Sequence, residues 1–410
     1  MSALGELLAE GRRRRVYSGA AWSVGTADGP LDRGWTGTRS WGGEGLDGGA
    51  AEGSVPGDAT PGGATVGDGA SGAAGDGDSG VACDGPSGAA GDGPSEGGDP
   101  GGPDLDGDAL WDLASVTKPI VGLAVLALVE QGALALTDTV GTHRPEYRGG
   151  TSADLTVHQL LTHTSGLPGQ IPLYRTHPTR ADLLRALGKL PLRAAPGTRV
   201  EYSSQGFMLL GLVAEAAAGR PLDELVADAV CAPLGMTGTV FTPGAAGRAR
   251  AVATERCPWR GRTVVGEVHD ENAAVLGGVC GHAGLFAPLA DLERLGRSLA
   301  GGARSLLHSD TFALMTAPHT DALNLRRCLA WQGQDAEGSP VGGSFGPEAY
   351  GHTGFTGTSI WLDPATGRYA VLLTNRVHPT RDGQGIEAVR HAFHDRAMAL
   401  PAAPGREPKR

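Results

Sequence analysis

Cysteine is scarce in this chain and badly spaced for bridging. The five thiols, Cys83, Cys231, Cys257, Cys280 and Cys328, are odd in number and form no C-x-x-C pair. Neither a disulfide framework nor a zinc site follows from such spacing. Long apolar runs are missing too: none reaches the ~18 residues that a membrane-spanning helix needs. Met1 to Glu10 carry two acids and no base, and Arg12 to Arg15 follow the apolar residues instead of preceding them. That order is wrong for a secretory leader. A cytoplasmic protein without a membrane span is expected, with Arg12–Arg15 as a solvated helix end. Positive charge is absent altogether from Ser40 to Thr117, while residues 44–108 hold 14 acids. All of the net negative charge of −11 comes from there; the rest of the chain sets 34 basic against 31 acidic side chains and is slightly positive. A near-neutral folded part excludes a polyanionic partner, so no nucleic acid is expected.

Glycine is in excess, with 68 among 410 residues. The length suffices for a sizeable core and two domains. Residues from about Gly45 to Pro103 are dominated by Gly, Ala, Asp, Ser and Pro. Such a composition buries too little apolar surface to offset chain entropy. It reads as a disordered loop inserted into a folded domain. Before it, Val16–Val24 and Gly34–Trp41 read as the strands of a hairpin. After it, helices are expected at Pro119–Gln131, Ser152–Thr162, Arg180–Leu187, Gly206–Ala218, Pro221–Val230 and Asp291–Ala300. Ser359–Leu362 and Tyr369–Thr374 read as short strands around the turn Asp363–Gly367, with a closing helix over Gly385–Ala399. Strands at both ends with helices between them predict an α/β plus all-α architecture. Its antiparallel sheet is formed from both termini and flanked by helices, with an inserted helical domain.

Several motif matches fail on context. Gly93-Pro94-Ser95-Glu96-Gly97 fits G-x-S-x-G, and Gly75-Asp76-Gly77-Asp78-Ser79-Gly80 fits G-x-G-x-x-G. Both lie in low-complexity sequence, without the flanking strand and helix that either motif requires. Asp104, Asp106 and Asp108 resemble the start of a calcium loop, but Ala109 and Ser115 stand where its glycine and closing acid belong.

Ser115-Val116-Thr117-Lys118 heads an apolar helical run and reads S-x-x-K. Residues three apart share a helix face, which puts a lysine amine beside a hydroxyl that needs activation. Glu201-Tyr202-Ser203-Ser204 precedes another apolar helix, and Tyr202 offers a phenol to exchange protons with Ser115. Gly351-His352-Thr353-Gly354-Phe355 precedes a strand, where small residues on an edge would admit a substrate and donate a backbone N–H to an oxyanion. Each element also has a plainer reading: Ser115 as a helix cap, Tyr202-Ser203-Ser204 as a helix entry, His352-Thr353-Gly354 as a turn.

In order and spacing, these residues resemble the penicillin-recognising serine hydrolases, in the branch of class C β-lactamases, D,D-peptidases and β-lactamase-fold esterases. Ser115–Lys118 stands for the family's S-x-x-K, Tyr202-Ser203-Ser204 for its Y-x-N, and His352-Thr353-Gly354 for its K-T-G. Leu160 to Pro168, Gly281 to Phe286, Val268 to Ala273 and Leu373 to Pro379 are similar to that family as well. The resemblance implies the β-lactamase/transpeptidase-like fold and a nucleophilic Ser115, with Lys118 holding the proton network and Tyr202 as general base. It implies an oxyanion hole of the Ser115 and Phe355 backbone N–H groups and a substrate site of Ser204, His352, Thr353 and Gly354. It implies neither a metal nor another cofactor. The substrate would be a small acyl, amide or β-lactam compound, and the expected activity is that of a carboxylesterase or amidase. The alternatives are a D,D-carboxypeptidase or β-lactamase, and a non-catalytic ligand-binding homologue.

Two departures matter. Ser204 replaces the usual Asn, and His352 replaces Lys, which removes a fixed positive charge. His163, His269, His282 and His378, inside the supporting motifs, are candidates either for catalytic partners or for structural hydrogen-bonders; the second reading is preferred, because no pair has metal-ligand spacing. The expected division is an N-terminal part of the α/β domain (1–44), the insert (45–103), a nucleophile-helix region (104–140), a mainly helical domain (141–300), the C-terminal part of the α/β domain (301–400) and a flexible tail (401–410).

Overall fold

The computed structural model describes residues 1–42, 102–335 and 337–401. Nearly all of the insert, its glycine-rich motif matches, Cys83 and most of the expected tail lie outside the described residues. In chain order the elements begin with α1 (Ala3–Arg13), β1 (Gly19–Thr26), β2 (Gly29–Gly37), β3 (Trp111–Asp112) and α2 (Thr117–Glu130). There follow α3 (Val140–His143), α4 (Val157–Leu161), α5 (Arg180–Leu187), α6 (Ser204–Ala218), α7 (Leu222–Val226) and α8 (Ala232–Leu234). Then come β4 (Val240–Phe241), α9 (Ala245–Arg250), β5 (Ala253–Cys257), β6 (Arg262–Val265), α10 (Glu271–Val275), β7 (Leu285–Ala287), α11 (Leu289–Ala300) and α12 (Ser309–Thr316). The last are β8 (Gln332–Gly333), β9 (Tyr350–Thr353), β10 (Ser359–Asp363), β11 (Arg368–Thr374) and α13 (Ile386–Ala399).

Strands from both ends of the chain form one antiparallel sheet in the order β2-β1-β11-β10-β9-β8. Ala20 faces Thr374 across the central pair, and Thr26 faces Arg368. Alternation along the strands gives the sheet two apolar faces. Trp22, Val24, Trp361, Ala370 and Leu372 pack with Leu4 and Leu8 of α1 and Val389 and Phe393 of α13. Ile360, Leu362, Val371 and Leu373 join the larger core of the helical layer on the opposite face. At its centre lies α2, buried without interruption from Thr117 to Leu128. A helix buried all round needs no polar stripe, which is why it reads as continuously apolar.

Local chemistry explains where the elements depart from expectation. The hairpin turns at Ala27-Asp28, so β2 starts at Gly29 and not at Gly34. The helix expected from Ser152 starts only at Val157, because Thr156 and Gln159 form a capping box there. The run expected over Pro221–Val230 is broken after Val226 by a π-helical turn, Ala227–Cys231. The strand carrying His352 is not a sheet edge along its whole length. Gln332 and Gly333 of β8 pair with Gly351 and Tyr350, so only the His352–Thr353 end lies beyond that pairing. The helix α11 lies on the sheet: the Glu293 carboxylate accepts from the Ser23 hydroxyl (2.9 Å), although the sequence groups this helix with the preceding ones. Among the described residues no helix is long and apolar enough to cross a membrane.

Candidate active site

Ser115 sits in a 3-10 turn that runs straight into α2. The residue before it, Ala114, has φ of 46°, a left-handed conformation that costs a non-glycine residue of order 1 kcal/mol or more. Its surroundings hold it there. The buried Asp112 carboxylate accepts from the Ala114 N–H (2.8 Å). The Leu113 N–H donates to the Leu285 carbonyl (2.9 Å), and the Leu285 N–H donates to Thr117 Oγ1 (3.2 Å). Gly281–Phe286 thus supplies the brace for the serine turn. Lys118 Nζ lies 2.9 Å from Ser115 Oγ and 3.3 Å from the His282 carbonyl oxygen. The lysine is completely buried, and burial brings its pKa from 10.5 down to about 7, against the opposing pull of Asp270 and Cys280.

Tyr202 reaches the same point from the entry of α6. Its ring lies 4.7 Å from Lys118 Nζ. Ser203 caps the helix by accepting from the Gly206 N–H, and its hydroxyl donates to the Pro168 carbonyl (2.7 Å). His163, itself at φ 58°, accepts the Ser203 N–H at Nδ1 (3.0 Å) and packs against Tyr202 with ring centroids 4.6 Å apart. Accepting at Nδ1 leaves the proton on Nε2. Burial holds His163 neutral by pushing its pKa well below the usual value. The side chain of Asn324 brackets Val200, accepting its N–H (2.9 Å) and donating to its carbonyl (3.1 Å). Ser204 is buried in the first turn of α6, and its N–H donates to the Gly169 carbonyl (3.0 Å).

The third wall is the turn after β9. Thr356 Oγ1 donates to the Asp112 carbonyl (2.8 Å) and Thr358 Oγ1 to the Leu113 carbonyl (2.9 Å). The turn bearing Phe355 is therefore stapled to the residues just before Ser115. Gly354 is obligatory at this approach: a Cβ there would lie 2.0 Å from Thr358 Oγ1 and 2.5 Å from the Leu113 carbonyl oxygen. Arg390 donates to the Gly354 carbonyl (2.6 Å). Thr353 is partly exposed at the open end of β9, whereas His352 is 5% exposed with its ring 5.9 Å from that of Tyr202. Burial, helped by the Lys118 charge, lowers the His352 pKa to about 3, so it is neutral.

A second layer of charge escaped the reading of isolated motifs. Arg376 Nε donates to the Phe355 carbonyl (2.7 Å), and its guanidinium stacks 4.2 Å from the Phe355 ring centroid. Arg376 also donates to the Arg381 carbonyl (2.8 Å), and the Arg381 side chain bridges Glu255 and Glu271. The His269 ring bonds Glu255 (2.9 Å) and stacks on Phe355, while its main-chain N–H donates to the Asp112 carboxylate (2.7 Å). Burial opposes the Glu255 charge, but His269 and Arg381 outweigh it and hold the pKa at about 2. Val268–Ala273 and Leu373–Pro379 thus meet behind the Phe355 turn. His378 and Asn375 act as staples, His378 between Trp41 and Thr254 and Asn375 between Ser18 and Ala253. Among the described residues, Glu255, Cys257 and Glu271 lie close enough together to hold a metal, but the Arg381 guanidinium already sits between the two carboxylates.

Residues 88–393 match the family described as Beta-lactamase. The chain belongs to the beta-lactamase family. A protein of Escherichia coli (strain K12) named "Putative D-alanyl-D-alanine carboxypeptidase" is 30% identical over 311 residues, covering 67% of this chain and 71% of that one. An N-acetylmuramyl-L-alanine amidase of Bacillus subtilis (strain 168) is 33% identical over 305 residues, 66% of this chain and 68% of the relative. The octameric penicillin-binding protein homologue from Pyrococcus abyssi shares the fold, with a TM-score of 0.66 at 17% identity over 98% of this chain and 78% of that one. This beta-lactamase-family protein is a serine hydrolase with the penicillin-recognising fold.

Proposed function

We propose that the protein hydrolyses small acyl esters or amides through an acyl-enzyme on Ser115. One observation carries this reading: a fully buried amine, with its pKa near 7, lies 2.9 Å from the Ser115 hydroxyl. At neutral pH such a lysine is available in part as free base, so it can take a proton, directly or through Tyr202. Ser115 Oγ attacks the substrate carbonyl as its proton passes to the Lys118–Tyr202 pair. The tetrahedral oxyanion receives the N–H groups of Ser115 and Phe355. Collapse breaks the bond to the leaving group, which takes the proton away. Water then attacks the ester on Ser115, gives its proton to the same pair, and the acid departs as Ser115 is reprotonated. Ser204, Thr353 and Gly354 line the acyl and strand side of the cleft, with the neutral His352 behind them.

The neutrality of His352 supports a substrate without an obligatory terminal carboxylate. The name of the E. coli relative favours a second reading, a D,D-carboxypeptidase. Hydrolysis of p-nitrophenyl butyrate by the parent and by Ser115→Ala tests the first. Turnover lost in the variant supports it; turnover surviving in Ser115→Ala refutes the nucleophile. Release of D-alanine from an N-acylated D-Ala-D-Ala peptide, without ester turnover, would move the assignment to the second reading.

A further inference from the structure

Behind Lys118 lies a cluster, buried at His282 and Cys280 and partly buried at Asp270, to which the scheme above gives no task. We propose that the Asp270–His282 ion pair, with Cys280 against the other ring nitrogen, is the positioning device of Lys118. This inference rests on the reading of Ser115 and Lys118 as the reacting pair. His282 is 1% exposed, and its Nε2 lies 3.0 Å from Asp270 Oδ1. The Nε2 hydrogen is not aligned on that oxygen, so charge rather than a well-formed hydrogen bond holds the two together. The other ring nitrogen, Nδ1, lies 3.1 Å from Cys280 Sγ. Burial opposes a charged imidazole, but Asp270 and Cys280 outweigh it and raise the His282 pKa to about 9. With a proton on each nitrogen, Nδ1 donates to Cys280 Sγ while Nε2 faces the Asp270 charge, so the ring has a partner on each side. Its main-chain carbonyl is then a fixed anchor, and Lys118 Nζ donates to that oxygen.

The cluster also sets how basic the amine is. Lys118 faces Ser115, the Tyr202 ring and the His282 carbonyl, with neutral His163 and His352 close by and the Arg327 charge beyond those two. Burial alone would strip the amine of basicity; Asp270 and Cys280 favour its protonated form and keep its pKa at about 7. A base is most effective with its pKa close to the working pH.

Asp270 has a second, purely structural task that must be separated from this one. Its Oδ1 caps α10 by accepting the Ala273 N–H (2.8 Å). Asn and Ser cap a helix about as well as Asp, but neither carries a charge for His282. Asp270→Asn and Asp270→Ser therefore keep the cap and remove the carboxylate. The expected result for both is a kcat on p-nitrophenyl butyrate lower by about tenfold or more, a KM changed less than about threefold, and an acid limb of kcat/KM moved to lower pH. Normal kcat with an unshifted acid limb in Asp270→Asn would overturn the proposal, whether or not Asp270→Ser folds. If Ser115→Ala is inactive while Asp270→Asn is normal, this inference alone fails; if Ser115→Ala is active, the nucleophile assignment fails first.

Discussion

A lysine side chain without solvent contact is a strained resident, and Lys118 shows what it costs. Burial lowers its pKa from 10.5 to about 7, so between those values the unfolded chain holds a proton that the folded chain has released. Proton binding then favours unfolding, fully below pH 7 and not at all above about 10.5, so stability rises with pH through this window. Lys118→Met keeps the packing and removes the amine. The expected outcome is an inactive protein whose thermal midpoint is several degrees higher at pH 7, with the gain shrinking as the pH approaches 10. A lower midpoint in calorimetry would show that Lys118 stabilises the fold instead. In the parent, the acid limb of the pH–rate profile is expected near 7 for the same reason.

The turn from Gly354 to Thr358 is the element on which the proposed oxyanion site depends, and its tolerance is small. Gly354→Ala pushes a methyl group onto Thr358 Oγ1 and the Leu113 carbonyl, so the turn must lift away from Ser115. We expect kcat/KM to fall by about a hundredfold, roughly 2.7 kcal/mol of lost transition-state stabilisation, with far-ultraviolet circular dichroism unchanged. Activity within a few-fold of the parent would mean that the turn has slack. Elements of this kind were legible where their signal is local. Arg180–Leu187 declares itself by its apolar spacing, and the S-x-x-K pair by its own three-residue separation. The capping box at Thr156 and the π-helical turn after Val226 override such patterns with side-chain and backbone bonding that periodicity does not register. The charged layer behind the site was illegible for another reason. Lys118 and the His282 carbonyl are 164 residues apart, and His269 and Asp112 are 157 apart, so no window of sequence contains both partners.

Across the whole molecule, buried histidines set the response to acid. His352 and His394 are buried and held neutral, each with its pKa lowered to about 3, chiefly by burial. An unfolded chain protonates them from about pH 6.5 downwards, so stability is lost as the pH falls from 6.5 towards 3. Glu255, held at about 2 against an ordinary 4.5, adds a further loss from pH 4.5 downwards. His394→Gln can keep a bond to Ser359 Oγ, the present partner of Nε2 at 3.0 Å, without the titration. The expected result is a shallower fall in thermal midpoint between pH 6.5 and 4 than in the parent; an unchanged slope would clear His394 of this role.

The pairing of β1 with β11 also carries a cost in time. Asn375 donates to Ser18 Oγ across 357 residues of chain, and the central strands zip together beside that contact. At ~5–20 residues per second, a ribosome needs roughly 20–70 s to make the later partner after the earlier one. During that interval Trp22 and Val24 have no sheet neighbour to cover them on the β11 side. The nascent hairpin therefore waits for Leu372 and Ala370 opposite Trp22 and Val24, and the helical layer, complete before β11 emerges, is placed to assemble first.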